Sequence, residues 1–181
     1  MIETQRLILI PCDEKYLQAF LRDENEMANL LGVKIAEGWL QFPESIAYTL
    51  RLLQDNPEIL GWGMYFFILK DKNLLVGNGG YKGAADEDGM VEIGYSIALM
   101  YQNQGLATEA ALGMIDYAFS YKNVKMVDAH TLAEANASTK VLQNCGMTKI
   151  GENHDTEDGD IWHWRILQKE FVGKGKPKNQ K

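Results

Sequence analysis

The chain is poor in cysteine: only Cys12 and Cys145 occur, and no C-x-x-C pair is present. Neither a disulfide framework nor a thiolate metal site is expected, and a reducing cytoplasm fits that usage. Histidine is scarce too, and His130, His154 and His163 show no metal-ligand spacing, so no metal is expected. Long apolar runs are missing. The greasiest stretch, "GWGMYFFIL", is far too short to span a bilayer, and the start "MIETQRLILIP" lacks a basic n-region and a long apolar h-region. A soluble protein with no membrane partner is the expectation. Positive charge is in deficit, with 18 Lys and Arg against 25 Asp and Glu, a net charge of −7. That balance disfavours non-specific nucleic-acid binding and favours a cationic ligand.

What remains is an ordinary globular balance, 46% apolar and 24% charged, over 181 residues that suit one domain with its own core. Ile2 to Ile10 reads as a strand closed by Pro11, and Asp13 as the cap of a helix carrying Tyr16, Leu17, Phe20 and Leu21. A second helix is expected from Pro43 to near Asn56, before Pro57. Trp62–Leu69, Leu74–Lys82 and Val91–Ala98 read as an antiparallel meander. Leu106, Ala107, Ala110, Met114, Ile115, Ala118 and Phe119 then trace one apolar helical face, and Val124–Thr131 the next strand. Asn136 caps a short helix with Ala137, Val141 and Cys145 four apart, ended by Gly146. Two last strands, near Met147–Glu152 and Ile161–Lys169, flank the acidic loop "NHDTEDGD".

Strand, helix and strand over residues 91–131 imply one parallel crossover in an otherwise antiparallel sheet. That crossover begins at "YQNQGLATEA", Tyr101 to Ala110, where a helix starts behind a lone glycine with no Lys or Arg in the stretch. An exposed helix start offers unpaired N–H groups and partial positive charge, so an anion is the physical default. A P-loop needs G-x-x-x-x-G-K-S/T and a Rossmann turn G-x-G-x-x-G; neither is present. The anion must be one that backbone amides hold without a lysine.

Gln102-Asn103-Gln104-Gly105-Leu106-Ala107 matches Q/R-x-x-G-x-G/A, the signature of the Gcn5-related N-acetyltransferase (GNAT) family, which the chain therefore resembles. A second family block, N-x-x-S-x-x-V/L-L-x-x-x-G-F/M, is approached by "AHTLAEANASTKVLQNCGM". "GLATEA", the start "ETQRLILIP" and the late "IWHWRI" are similar to the RimJ/RimL branch, which acetylates the N-termini of ribosomal proteins, and to its small-molecule relatives. The resemblance implies an α+β fold: a twisted, mostly antiparallel sheet of about seven strands with one parallel crossover and helices on both faces. Residues 1–172 would form one acetyltransferase domain, and 173–181 a basic, disordered tail.

The implied activity is acetyl transfer from acetyl-CoA to a primary amine, a small molecule or a protein N-terminus, by direct attack in a ternary complex. A monomer or homodimer is expected. Coenzyme A would lay its pyrophosphate on N–H groups from Gln104 to Glu109, Leu106 among them, with Gly105 and Ala107 keeping side chains out of the way and Thr108 adding a hydroxyl. Gln102 belongs to the same motif, and Ile97, Ala98 and Leu99 would lend backbone groups to the acyl and pantetheine arm. In "VEIGYSIAL", Val91, Ile93, Tyr95 and Ile97 face one way and Glu92, Gly94, Ser96 and Ala98 the other. Glu92 matches the family's frequent general base, best served by a pKa that burial raises; a merely solvating glutamate is the alternative.

Two departures stand out. The family tyrosine that protonates the leaving thiolate is Leu142 here, leaving Ser138 as the hydroxyl near the sulfur. The family asparagine is Ala135, with Asn136 beside it, either a cofactor contact or only a helix cap. A non-catalytic CoA-binding module is thus the competing reading. Other features read as structure: Cys145 as a buried thiol, "GNGGYKG" as a bulged strand or turn, and "HDTEDGD" as no EF-hand because His154 takes a ligand position. Trp62, Tyr65, Trp162 and Trp164 are either acceptor-pocket walls or, more commonly for aromatics, core.

Overall fold

A computed structural model describes residues 1–156 and 159–171. In chain order the elements are β1 (Ile2–Glu3), β2 (Leu7–Pro11), α1 (Glu14–Arg22), α2 (Glu24–Leu31), β3 (Lys34–Ile35), α3 (Glu44–Asp55) and β4 (Met64–Leu69). There follow β5 (Leu74–Tyr81), β6 (Met90–Ile97), α4 (Leu106–Phe119), β7 (Met126–Leu132), α5 (Ala137–Asn144), β8 (Thr148–Asp155) and β9 (Gly159–Leu167). The strands form one sheet in the order β1-β2-β4-β5-β6-β7-β9-β8, with β3 alongside β5. The expected tail, 173–181, lies outside the described residues.

The mixed, mostly antiparallel α+β architecture is the one expected, with nine strands instead of about seven. The first expected strand is two: the chain turns at Thr4, and Ile2 pairs back on Leu9. Thr4 closes that turn, its N–H donating to the Leu7 carbonyl at 2.9 Å and its Oγ1 accepting from the Leu7 N–H at 3.0 Å. The unexpected helix α2 starts because Asp23 ends α1 and caps its successor, accepting from the Asn25 N–H at 2.9 Å. The two-residue β3 adds a second parallel pairing, Lys34 opposite Leu74.

Helices cover both faces. Tyr65 and Phe66 are consecutive on β4 and so point oppositely. Tyr65 packs edge-on against Tyr81, whose hydroxyl donates to the Met114 carbonyl of α4 at 2.6 Å. Phe66 packs against Tyr16 of α1 and against Trp39. Along α4, Leu106, Ala110, Ala111, Met114, Ile115 and Ala118 are buried. Met114 and Ile115 each contribute about 1.5–3 kcal/mol by that burial.

The glycine run is a bulged strand, as expected, with a register shift between Phe67 and Ile68 of β4 where β5 passes Val76. Neighbouring backbone approaches so closely that a Cβ on Gly77 would sit 2.2 Å from the Ser96 carbonyl oxygen. Tyr65 and Trp164 are core residues. Among the described residues no helix is long and apolar enough to cross a membrane.

Candidate active site

β6 and β7 are parallel neighbours at only three positions, Met90, Val91 and Glu92 against Met126, Val127 and Asp128. Beyond Glu92 β6 stays paired with β5 as far as Ile97, and β7 stays paired with β9 as far as Leu132. The two halves of the sheet therefore diverge and leave a cleft of about 430 Å³. Its walls include Tyr95, Ser96 and Ile97, the turn residues Gln102, Gly105, Leu106, Ala107 and Thr108, and Asn136, Ser138 and Lys140 across the gap.

The helix start is built to be open. Gly105 occupies the N-cap in the left-handed region at φ 77°, and no side chain caps α4. The N–H groups of Leu106, Ala107 and Thr108 precede the first intrahelical bond, from the Glu109 N–H to the Gly105 carbonyl at 3.0 Å, so the first turn keeps its partial positive charge. Gln102 ties the turn to its strand by donating from Nε2 to the Ile97 carbonyl at 2.9 Å. Asn136 lines the cleft and also caps α5, accepting from the Thr139 N–H at 3.0 Å while Thr139 Oγ1 accepts from the Asn136 N–H.

Other expected cofactor residues stand elsewhere. Ala98 is buried with its N–H given to the Val76 carbonyl at 2.8 Å, and Leu99 is exposed. Neither lines the cleft, and the Ile97 carbonyl is already taken by Gln102. The tight turn Leu99–Tyr101 accounts for this by lifting the chain off the strand. The Glu109 side chain and the Gln104 carbonyl face the N-terminal hairpin instead, while Gln104 Nε2 donates to the Met100 carbonyl at 3.1 Å. Glu109 accepts from Thr4 Oγ1 at 2.7 Å, from the Arg6 N–H, and from Arg6 Nε at 2.7 Å, while Arg6 Nη1 donates to the Gln104 carbonyl at 2.9 Å. Burial pushes the Glu109 carboxyl up, but the Arg6 and Thr4 donors outweigh it and hold the group below the usual carboxylate range. The turn that lacks a cation in sequence thus borrows Arg6 from the hairpin, and no local pattern announces that contact.

A second cavity, about 850 Å³, lies between α3 and the β5–β6 surface, and a third, about 720 Å³, reaches Glu92, His130 and Asp155. Tyr95, Ser96 and Ser138 line both the cleft and the second cavity, and Ser138 also lines the third. The Tyr95 hydroxyl donates to the Ser138 carbonyl at 3.3 Å, and burial raises its pKa, keeping it neutral. Leu142, at the family tyrosine's place, is buried in the core and lines none of the three cavities. Cys145 is buried as expected.

Glu92 departs from expectation. Burial raises its pKa, yet the Lys82 ammonium and His130, whose Nδ1 lies 3.0 Å from Glu92 Oε1, outweigh that and hold it below the ordinary value. The carboxylate stays ionised and orients His130, whose Nε2 has no hydrogen-bond partner among the described residues. His130 stacks on His163 at 4.5 Å, and His163 Nε2 lies 2.6 Å from Asp128, which also receives Arg165 through two bonds of 2.7 Å. Metal spacing was the wrong question for His130. The usable signal was alternation along β7, which places it on the face of Asp128, the partner of Glu92.

The acidic loop is shorter than expected, since β8 runs to Asp155 and β9 starts at Gly159. His154 Nδ1 lies 2.7 Å from Asp160, and Glu157 and Asp158 fall outside the described residues. Trp62 lines the second cavity, whereas Trp162 lines none of the three.

A family model described as an acetyltransferase (GNAT) domain matches residues 6–148. The chain belongs to the GNAT family. Its curated relatives include the uncharacterized N-acetyltransferase YjdG of Bacillus subtilis (strain 168), 29% identical over 171 residues that cover 93% of this chain and 99% of that protein. YnaD of the same organism, also an uncharacterized N-acetyltransferase, is 28% identical over 178 residues, 94% of this chain and 98% of its own. Two solved GNAT structures show the same fold. Spermidine N-acetyltransferase from Vibrio cholerae, in complex with CoA and spermine, superposes with a TM-score of 0.66 at 20% identity, over 91% of this chain and 97% of that one. RimL, a ribosomal L7/L12 alpha-N-protein acetyltransferase in complex with coenzyme A, gives 0.65 at 18% identity, over 91% and 95%. As a GNAT member this chain is an acyltransferase, and the diverging β6 and β7 hold its motif turn at the mouth of the cleft.

Proposed function

We propose that the protein transfers an acetyl group from acetyl-CoA to a primary amine, by direct attack in a ternary complex. The observation that carries this is the junction at Tyr95, Ser96 and Ser138, shared by the cleft at the uncapped helix and the separate cavity on α3. Both reactants then reach one point, so no acyl-enzyme is required, and the buried Cys145 is not asked to form one.

Acetyl-CoA supplies the activated thioester. The first-turn N–H groups of α4 hold its pyrophosphate, with Lys140 lining the same cleft as a further cation. His130, held by the ionised Glu92, takes the proton that the amine loses as its nitrogen bonds the acyl carbon. Glu92 thus acts through His130, a modified form of the role the family resemblance implies. As the carbon–sulfur bond breaks, Ser138 is the side chain placed to donate to sulfur, and the thiolate, with a thiol pKa of about 8.5, leaves without a strong acid. The sparse cysteine usage supports a reducing, cytoplasmic setting for this reaction.

The test is release of free thiol from acetyl-CoA across a panel of primary amines. Amine-dependent release supports the reading, whereas tight CoA binding without release under any amine would leave a CoA-binding module.

A further inference from the structure

The second cavity has a composition that narrows the acceptor. Among the described residues, no Asp or Glu lines it. Its rim on α3 and the preceding loop carries Phe42, Tyr48 and Leu52, exposed by 62%, 63% and 38%, and Trp62 completes the apolar wall. Contiguous exposed apolar side chains around one small-molecule-sized cavity mark a contact surface for an apolar body. The floor is bare backbone at the cross-strand pair Gly80 and Gly94, and a Cβ added at Gly94 would meet nothing within 4 Å.

Beside that glycine pair stands the next cross-strand pair on the same face, Asn78 and Ser96. Asn78 Oδ1 and Ser96 Oγ are buried without a partner, the two such side-chain atoms found among the described residues. An unpaired buried oxygen costs stability and calls for a donor, which an amine N–H supplies. A single ammonium finds aromatic faces and these oxygens here. Each further ammonium of a polyamine held in this cavity would be stripped of water beside Lys82 with no carboxylate in the wall to compensate, and Glu92 of the adjoining third cavity is already paired with Lys82 and His130.

We propose that the acceptor is a primary amine with one cationic centre on a compact aromatic or branched aliphatic body, and not a polyamine. The proposal rests on the acetyl-transfer reading above.

Tyramine and 2-phenylethylamine are the probes, with spermidine and an alanine-terminated peptide as competitors. The aromatic amines should lead by at least tenfold in kcat/KM. Gly94→Leu fills the floor from open space, so it should raise their KM at least tenfold and leave CoA affinity alone. Asn78→Leu should raise the melting temperature while weakening tyramine binding, the signature of an oxygen kept unpaired for a ligand. Preference for spermidine or for the peptide overturns the proposal while acetyl transfer stands. If no amine releases thiol, acetyl transfer fails and calorimetry of tyramine on the CoA-saturated protein decides alone. Binding lost in Gly94→Leu supports the cavity's assignment, and no binding overturns it.

Discussion

Placing a side chain at Gly105 tests the cofactor turn, because its effects on folding and on binding separate. At φ 77° an L-residue costs about 1–2 kcal/mol whatever its side chain. Space is not the obstacle, since a Cβ there would meet only Arg6 Nη2, at 3.5 Å. Gly105→Ala should therefore lose roughly 1–2 kcal/mol of stability and bind CoA less than about tenfold more weakly. Gly105→Glu pays the same backbone cost and adds a carboxylate beside the pyrophosphate. Like charges about 5 Å apart repel by roughly 3 kcal/mol at an effective dielectric near 20. The neighbouring Arg6 guanidinium and the open cleft offset part of this, leaving about 1.5–3 kcal/mol, or roughly a 10–100-fold loss of affinity. Calorimetric titration with CoA, beside a thermal melt of each variant, measures both. Wild-type affinity in Gly105→Glu would refute the placement of the pyrophosphate on this turn. Equal losses in both variants would show crowding instead of charge.

Glu92→Gln should lower kcat/KM by about 10²–10⁴-fold with acetyl-CoA binding intact, and Ser138→Ala should cost less because the thiolate leaves readily. Near-normal turnover of Glu92→Gln at pH 7 would show that His130 does not depend on Glu92 for the proton transfer. The Glu109 carboxyl is held below its ordinary value in the folded state, so its stabilisation is full above the unfolded pKa and fades as pH falls through the lower folded one. Glu109→Gln should therefore cost about 1–2 kcal/mol at pH 7 and flatten the acid limb of a melting-temperature profile; an unchanged limb refutes this. Restoring the family tyrosine by Leu142→Tyr should overpack the core, cost about 1–3 kcal/mol and fail to raise kcat, whereas a faster enzyme would show that the ring reaches the sulfur.

Long periodic elements were legible in sequence. The α4 face, the Asn136 cap and the Gly146 stop of α5 all stand where spacing places them, because each is a local matter of period or capping. β3 has too few residues to show a period, and the break at Thr4 falls in the polar run Glu3-Thr4-Gln5-Arg6, which carries no Gly or Pro to mark a turn. α2 is short and only weakly patterned, and its cap Asp23 reads equally well as the end of α1. At the site, the motif turn was readable because its glycine and small residues are contiguous. Arg6, His130, Tyr95 and Asn78 were not, since each acquires its partner or cavity from another strand or helix. The sign of the Glu92 shift depended on Lys82 and His130, which no pattern along β6 reveals.

The bonds from Thr4 and Arg6 to Glu109 join parts of the chain far apart in sequence. Contacts of such span bear the largest loop-closure cost, and chains pay it late in folding. The sheet can thus be native while the turn at Gly105 still samples other shapes. Amide exchange should show this as a separate opening unit, in which residues 1–6 and the first turn of α4 lose protection together while β4 and β5 keep theirs. A bulky tag ahead of Met1 would then act on cofactor capture from a distance, by biasing that unit toward its open form.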